Sequence, residues 1–309
     1  MKNKKVLITG GAGFIGSNLA LTLQEKYPDN RYFVIDNFSS GNSRNLVNFK
    51  GKIISADVSK IDFAEYFDKI DIVFHQAALT DTTVFDKEKM LSNNVGGFEN
   101  VLKFAIKSKA KLIYASSAAV YGHSKPPMRV GKNEVPANIY GFSKLAADNI
   151  AREHFNHLPI TGLRYFNVYG PGEQYKGKMA SMVWQLYLQM KKGKKPKIFK
   201  YGEQARDHVY VKDVVEANLL ALNSKKSGIF NVGTGKTTSF NEIIRNLNQV
   251  LDLKLKANYI DNPYRHYQER TKADLSATKR NLGYVPKYNI GKGIRDYFFK
   301  NITARLRLL

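Results

Sequence analysis

The 309-residue chain contains no cysteine, which excludes a disulfide framework, thiolate metal sites, iron–sulfur ligation and a cysteine nucleophile. It also lacks any apolar run near the roughly 18 to 20 residues that a membrane span needs. The Lys-rich start, Met1 to Lys5, leads into a glycine-rich stretch rather than a signal-peptide core, so the expectation is a soluble cytoplasmic protein with no membrane partner. Acidic residues are scarce: 26 Asp and Glu stand against 49 Lys and Arg, a net charge of +23. Such a field attracts polyanions. Yet the basic residues are scattered, and the one dense cluster, Lys191, Lys192, Lys194, Lys195, Lys197 and Lys200, straddles a predicted helix end. Cations there complement the helix dipole and read as a solvated face. No zinc-finger, RNA-recognition or basic-zipper pattern accompanies the cluster, so no nucleic-acid partner is expected. An anionic small substrate would profit from the same field. With 43% hydrophobic and 24% charged residues, the composition is that of a folded globular protein.

What is present alternates. Lys4 to Thr9 is a short apolar run, followed by glycines at 10, 11, 13 and 16 and then by a helical stretch from Ser17 to Lys26, which reads as strand, turn, helix. Further buried strands are expected at 32–36, 52–56, 71–75 and 111–115, separated by helical segments. This pattern predicts a doubly wound parallel α/β sheet covered on both faces. Later strands are expected at 161–166, 208–211 and 228–232, and helices near 140–156, 179–190, 213–223 and 239–251. The order becomes less regular after Gly170. Residues 1–169 are therefore read as a dinucleotide-binding unit to which the chain returns around 206–235, with 170–205 and 236–309 as a smaller substrate-binding region.

Gly10, Gly13 and Gly16 form G-x-x-G-x-x-G between a strand and a helix. There the turn needs positive φ, a pyrophosphate needs close backbone approach, and the helix N-terminus offers free N–H groups. Asp36 ends the second strand, where a carboxylate can accept hydrogen bonds from ribose hydroxyls, which argues for NAD. Arg44 lies just beyond and could pair with a 2′-phosphate, which keeps NADP open. Tyr140 and Lys144 stand at i and i+4 on the first turns of a predicted helix. An ammonium on the same face would pull a phenol toward neutrality and make it an acid/base group. Ser117, at a strand end, could hydrogen-bond a reacting hydroxyl. Arg206 has the planar fork that suits a diphosphate. His75 and His208 lie in apolar strands and are expected as satisfied core histidines, and no metal site is expected.

T-G-G-A-G-F-I-G at 9–16, the Ser117, Tyr140 and Lys144 set and R-Y-F-N-V-Y-G-P at 164–171 resemble the extended short-chain dehydrogenase/reductase superfamily acting on nucleotide sugars, with its Rossmann-type fold. Within it, His75-Gln76-Ala77-Ala78, the K-G-x-M-A-S segment at 176–181 and N-V-G-T-G at 231–235 are similar to ADP-L-glycero-D-manno-heptose 6-epimerases, over nearly the whole chain. The resemblance implies a homo-oligomeric isomerase that oxidises C6 of a nucleotide-diphosphate sugar with a tightly held NADP or NAD and re-reduces it on the opposite face. Tyr140 and Lys176 would be its two proton-transfer groups. It further implies cofactor contacts from Phe14, Ile15, Asp36, Asn37, Gln76, Ala77, Ala78, Leu79, Thr80, Asn93, Lys144 and Val168. Substrate contacts would come from Asn167, Lys178, Gln185, Phe199, Arg206 and Tyr267. Gln185 departs from a family histidine, and the 199–202 stretch departs from an acidic, serine-ended version. Two alternatives remain. One is a related C4 epimerase, dehydratase or dehydrogenase on a GDP- or UDP-linked sugar, although Ala118-Ala119 lacks the Asp-Glu pair that elimination wants. The other is a non-catalytic nucleotide- or nucleic-acid-binding protein, against which the intact Tyr140 and Lys144 speak.

Overall fold

A computed structural model describes residues 1–81, 86–262 and 269–306, with side chains as far as residue 299. The first half carries the five expected strands, but two of the expected helices are absent: β1 (Lys5–Thr9), α1 (Phe14–Lys26), β2 (Arg31–Asp36), β3 (Lys52–Ser55), β4 (Ile72–His75), α2 (Lys87–Leu91), α3 (Gly97–Ser108), β5 (Lys111–Ser117), α4 (Ile139–Glu153) and β6 (Ile160–Tyr165) follow in order, with only the 3₁₀ turns Ser43–Leu46 and Phe63–Glu65 linking β2 to β3 and β3 to β4. The elements then shorten: β7 (Asn167–Tyr169), α5 (Met182–Lys191), β8 (Lys197–Phe199), β9 (Ala205–Arg206), β10 (His208–Tyr210), α6 (Val211–Asn223), β11 (Gly228–Val232), β12 (Thr238–Ser239), α7 (Phe240–Leu251), β13 (Asn258–Ile260), α8 (Ser276–Leu282) and α9 (Ile290–Leu306).

Seven strands make one parallel sheet in the order β11-β6-β5-β4-β1-β2-β3. Side chains alternate across it. Val6 and Ile8 join Val34, Phe74 and Leu163 in a core with Leu19 and Leu23 of α1 and Val214 of α6. Leu7 between them faces the other way, with Val73, Leu112 and Ile160, onto Phe98 and Val101 of α3 and Ala147 of α4. Because both faces are covered, these strands read as continuous apolar runs rather than alternating ones. The strand order turns back between β1 and β4, and at such a switch point the loops leaving the strand C-termini part to form a crevice. A third core, with Val183 and Leu186 of α5, Ile198 of β8, Ile243 and Leu247 of α7 and Phe298 of α9, builds the region beyond that crevice. Leu282 and Tyr284, late in the chain, pack instead in the first core.

Two expectations are corrected. Of the late strands, β11 joins the sheet, whereas His208–Tyr210 pairs in parallel with β7 in a separate two-stranded piece. The neighbour position beside β6 is taken by β11, and His208–Tyr210 runs directly into α6 with Tyr210 at its N-cap position. Helix α5 starts at Met182 rather than near Met179, because Ser181 accepts the Trp184 N–H at 3.2 Å as its N-cap. The preceding 173–179 turn is a 3₁₀ segment broken at Gly177, with φ of 55°. No described helix is long and apolar enough to cross a membrane.

Candidate active site

The switch point opens a cleft of about 360 Å³. At one end lies the glycine turn. Gly10 has φ of +66°, and a Cβ there would sit 2.6 Å from the Ala77 backbone. A Cβ on Gly16 would drive into the Gly10 carbonyl. The turn thus lets β1, α1 and the 76–80 loop meet closely. Helix α1 begins at Gly13 with no side-chain cap, so its N-terminal donors and positive dipole end are left for an anion. Asp36, 7% exposed, closes that end, its carboxylate accepting N–H bonds from Ala12 (2.9 Å) and Phe38 (2.8 Å). Burial raises its pKa, and these backbone bonds oppose the rise.

At the other end stand Ser117, Tyr140 and Lys144. Ser117 leaves β5 with its hydroxyl accepting the Ala119 N–H at 3.1 Å. Tyr140 and Lys144 lie on the first turns of α4, whose N-cap Asn138 accepts the Gly141 N–H at 2.8 Å. The expected downward pull of Lys144 on the phenol is not what the site holds. Burial raises the Tyr140 pKa and a hydrogen bond with Ser117 opposes it. The Lys144 ammonium instead donates to the Ala115 carbonyl at 2.9 Å and is lowered to about 8 by burial, with Asp148 opposing.

Apart from Arg44, the cofactor and acid/base residues selected from the sequence all line this one cleft: Gly10, Gly13, Phe14, Ile15, Gly16, Asp36, Asn37, Gln76, Ala77, Ala78, Leu79, Thr80, Asn93, Ser117, Tyr140, Lys144, Val168 and Lys176. Asn167, Val168 and Lys176 also line a second cleft of about 580 Å³, together with Lys178, Gln185, Phe199 and Arg206. Tyr267 lies outside the described residues. Lys176 therefore stands where the two clefts meet, its ammonium 5.9 Å from the Phe14 ring centroid. Burial lowers its pKa, and Glu173 opposes. Glu173 itself is fully buried and accepts the N–H groups of Gly170 (2.9 Å) and Ser181 (2.6 Å), pinning both ends of the turn that carries Lys176.

One residue escaped the sequence reading, and another departs from its expectation. Asn94 accepts the Leu79 N–H at 2.8 Å and donates to the Leu79 carbonyl at 3.0 Å, fixing the 76–80 loop from behind. It carried no signal beyond standing next to Asn93. His208, expected as a satisfied core histidine, is 4% exposed and lines the second cleft, but neither ring nitrogen has a hydrogen-bond partner among the described residues. His75 does have one, Thr9 Oγ1 at 2.8 Å.

A sequence profile described as the NAD-dependent epimerase/dehydratase family matches residues 6–233. The chain belongs to this family. Similar members include an ADP-L-glycero-D-manno-heptose-6-epimerase of Brachyspira hyodysenteriae, 38% identical over 94% of this chain and 96% of that protein. The crystal structure of the Helicobacter pylori ADP-L-glycero-D-manno-heptose-6-epimerase superposes with a TM-score of 0.92 at 45% identity, covering 98% of this chain and 97% of that one. A UDP-N-acetylglucosamine 4-epimerase of Methanobrevibacter ruminantium, in complex with UDP-N-acetylmuramic acid, superposes with a TM-score of 0.89 at 29% identity, covering 97% and 100%. The chain is thus an isomerase of this family working through a nicotinamide cofactor. The first cleft fits such a group, with its Cβ-free turn, uncapped helix end and buried Asp36.

Proposed function

We propose that the protein converts ADP-D-glycero-D-manno-heptose to ADP-L-glycero-D-manno-heptose by transient oxidation and re-reduction at C6. The observation that supports this most is that one cleft is lined by the glycine turn, Tyr140 and Lys176 together, and continues past Lys176 into the second cleft. The glycine turn and the α1 N-terminus would hold the dinucleotide's pyrophosphate, and Asp36 would accept from the adenosine ribose hydroxyls. A nicotinamide ring bound there supplies a hydride acceptor that gives the same hydride back, so no net redox change results. Arg206 and Lys178 hold the sugar nucleotide's diphosphate in the second cleft, with Asn167, Gln185 and Phe199 around it, and the sugar reaches back to Lys176; the resemblance adds Tyr267 to the substrate contacts.

Two epimeric hydroxyls point in different directions and need two proton-transfer groups. Burial drives the pair apart, raising Tyr140 and lowering Lys176, so the phenol is suited to give a proton and the amine to take one. Ser117 orients the phenol. As C6–H leaves as hydride, the C6 hydroxyl proton passes to the group it faces. After the C6 carbonyl has turned over, the other group protonates the oxygen as hydride returns. The carboxylates of Asp36 and Asp57 both line the cleft, whereas Arg44 is exposed and outside the lining. This charge balance favours NAD over NADP, and the mass of the dinucleotide released from purified protein checks it.

Homo-oligomeric assembly, which rests on the resemblance, belongs to the same proposal, as do a cytoplasmic location and the division of the chain at 169, 206 and 235, which rest on the absence of a signal-peptide core and on the change of pattern after Gly170. Incubation with ADP-D-glycero-D-manno-heptose should invert C6, read by NMR, without accumulating absorbance at the reduced-nicotinamide band. No turnover of either ADP-heptose, with inversion of a UDP- or GDP-sugar at C4, would move the assignment to the related C4 epimerases.

A further inference from the structure

Between Glu173 and Glu203 the chain has no carboxylate and eight lysines: Lys176, Lys178, Lys191, Lys192, Lys194, Lys195, Lys197 and Lys200. This segment is one wall of the second cleft. Lys176, Lys178 and Lys197 line it, as do Met182 and Gln185 of α5. Lys191, Lys192, Lys194 and Lys195 lie on the stretch that joins two lining residues, Gln185 and Lys197, a stretch whose turn is tied by Gln189, one helical turn beyond Gln185. The Gln189 carbonyl accepts the Lys194 N–H at 3.1 Å, and its side-chain oxygen accepts the Lys197 N–H at 2.9 Å. Its amide donates back to the Gln185 carbonyl at 3.4 Å. Lys191, Lys192, Lys194, Lys195 and Lys197 are exposed, and no described carboxylate lies within ion-pair distance of any of them. One cation in the last turn, Lys191, suffices for the helix dipole, whose influence fades within that turn. The lysines beyond it need another account.

We infer that this rim is an electropositive funnel that steers the diphosphate of the sugar nucleotide into the second cleft, speeding its capture without touching the chemical steps. The inference rests on the proposed reading of that cleft as the nucleotide-sugar site. It also gives part of the charge of +23, the eight lysines of this segment, a use. Like charges concentrated at a cleft mouth raise the encounter rate of an anion by about 10- to 1,000-fold at low salt. The effect collapses as the screening length falls from about 30 Å at 0.01 M to about 10 Å at 0.1 M.

The test uses the enzyme with its dinucleotide bound and N-methylanthraniloyl-ADP as a fluorescent diphosphate probe in stopped flow, alongside kcat/KM for the ADP-heptose. Reversing Lys191, Lys192, Lys194 and Lys195 to Glu removes eight charges, taking +23 to +15. A control reverses Lys103, Lys107, Lys225 and Lys226, exposed on α3 and before β11, for the same net charge far from the cleft. The rim variant should associate with the probe roughly tenfold more slowly than the parent at 0.02 M salt and equally fast near 0.5 M, with kcat unchanged. The control should follow the parent. Equal slowing in both variants would assign the effect to net charge, and a parent rate indifferent to salt would remove steering altogether; either overturns the inference, as would a fall in kcat of the rim variant. Probe capture that depends on salt in a protein with no heptose turnover would sink the proposed substrate but leave the funnel standing.

Discussion

Tyr140 is one of the two proton-transfer groups of the proposed reaction, and Tyr140→Phe removes one oxygen while keeping the ring in place. It should cut kcat by about 100-fold or more, the scale of a positioned acid/base group, with unaltered melting and dinucleotide content. Near-parental turnover would remove the phenol from the mechanism. His208 poses the opposite case, a buried polar ring with no hydrogen-bond partner among the described residues. A buried unsatisfied polar group costs about 1–3 kcal/mol. His208→Phe, which keeps a ring against Phe240 at 6.4 Å between centroids, should therefore raise the unfolding free energy by about 1 kcal/mol in denaturant titrations; a drop would mean that the imidazole does have a role in holding the fold. The two residues differ in how far the sequence discloses them. Tyr140, Lys144 and the glycine turn work over one helical turn or less, so spacing in the chain is spacing in space. The unmet nitrogens of His208, and the grip of Asn94 on Leu79 fifteen residues away, depend on which distant segments arrive beside them, and no local pattern encodes that.

Helix α4 presents the acid/base pair, and its entry is set by one side chain. Asn138→Ala deletes the acceptor for the Gly141 N–H and should cost about 1 kcal/mol of stability in urea titrations. Asn138→Asp, which keeps the acceptor and puts negative charge at the helix N-terminus, should restore it. Failure of Asp to rescue would mean that the cap acts through something other than that bond. The far end of the same helix is tied down by Asp148, which accepts from Tyr114 (2.8 Å) and Arg164 (2.8 Å) in the interior. At this scale the sheet was legible, because five apolar runs separated by helix-length segments leave few arrangements other than a covered parallel sheet. The short elements were not. The apolar pattern at 208–210 signals extended chain, yet it does not say which neighbour takes its hydrogen bonds, and that neighbour is β7. The start of α5 depended on Ser181 acting as cap after a 3₁₀ turn held by the buried Glu173 carboxylate, a contact across eight residues that periodicity does not register.

For the molecule as a whole, net charge and buried bases push stability the same way with pH. His75 and His208 are lowered to about 3 by burial, with Lys144 and Arg206 respectively as the secondary cause. Unfolded, each would hold its proton up to about pH 6.5. Below that value the unfolded chain binds more protons than the folded one, so stability falls on acidification, by up to about 1.4 kcal/mol per pH unit for each ring. The carboxyls of Asp36, Glu173, Asp207 and Asp213, raised by burial, have the opposite sign and soften the slope where they titrate. Lys111 and Lys144, lowered by burial to about 8, repeat the argument at the alkaline side. From about pH 8 to about 10.4 the unfolded chain again binds more protons, and stability rises with pH. Deprotonation of surface lysines relieves the self-repulsion of +23 over the same range. Above about pH 10 the sign turns, because a tyrosine such as Tyr165, raised to about 12 by burial, keeps its proton longer folded than unfolded. Maximum stability should therefore lie near pH 9–10, above the usual range of about 5 to 8. Thermal melts at constant ionic strength from pH 5 to 11 check it. A melting maximum at or below pH 7 would contradict the burial of these bases, and His208→Phe should flatten the acid limb by the share of one ring.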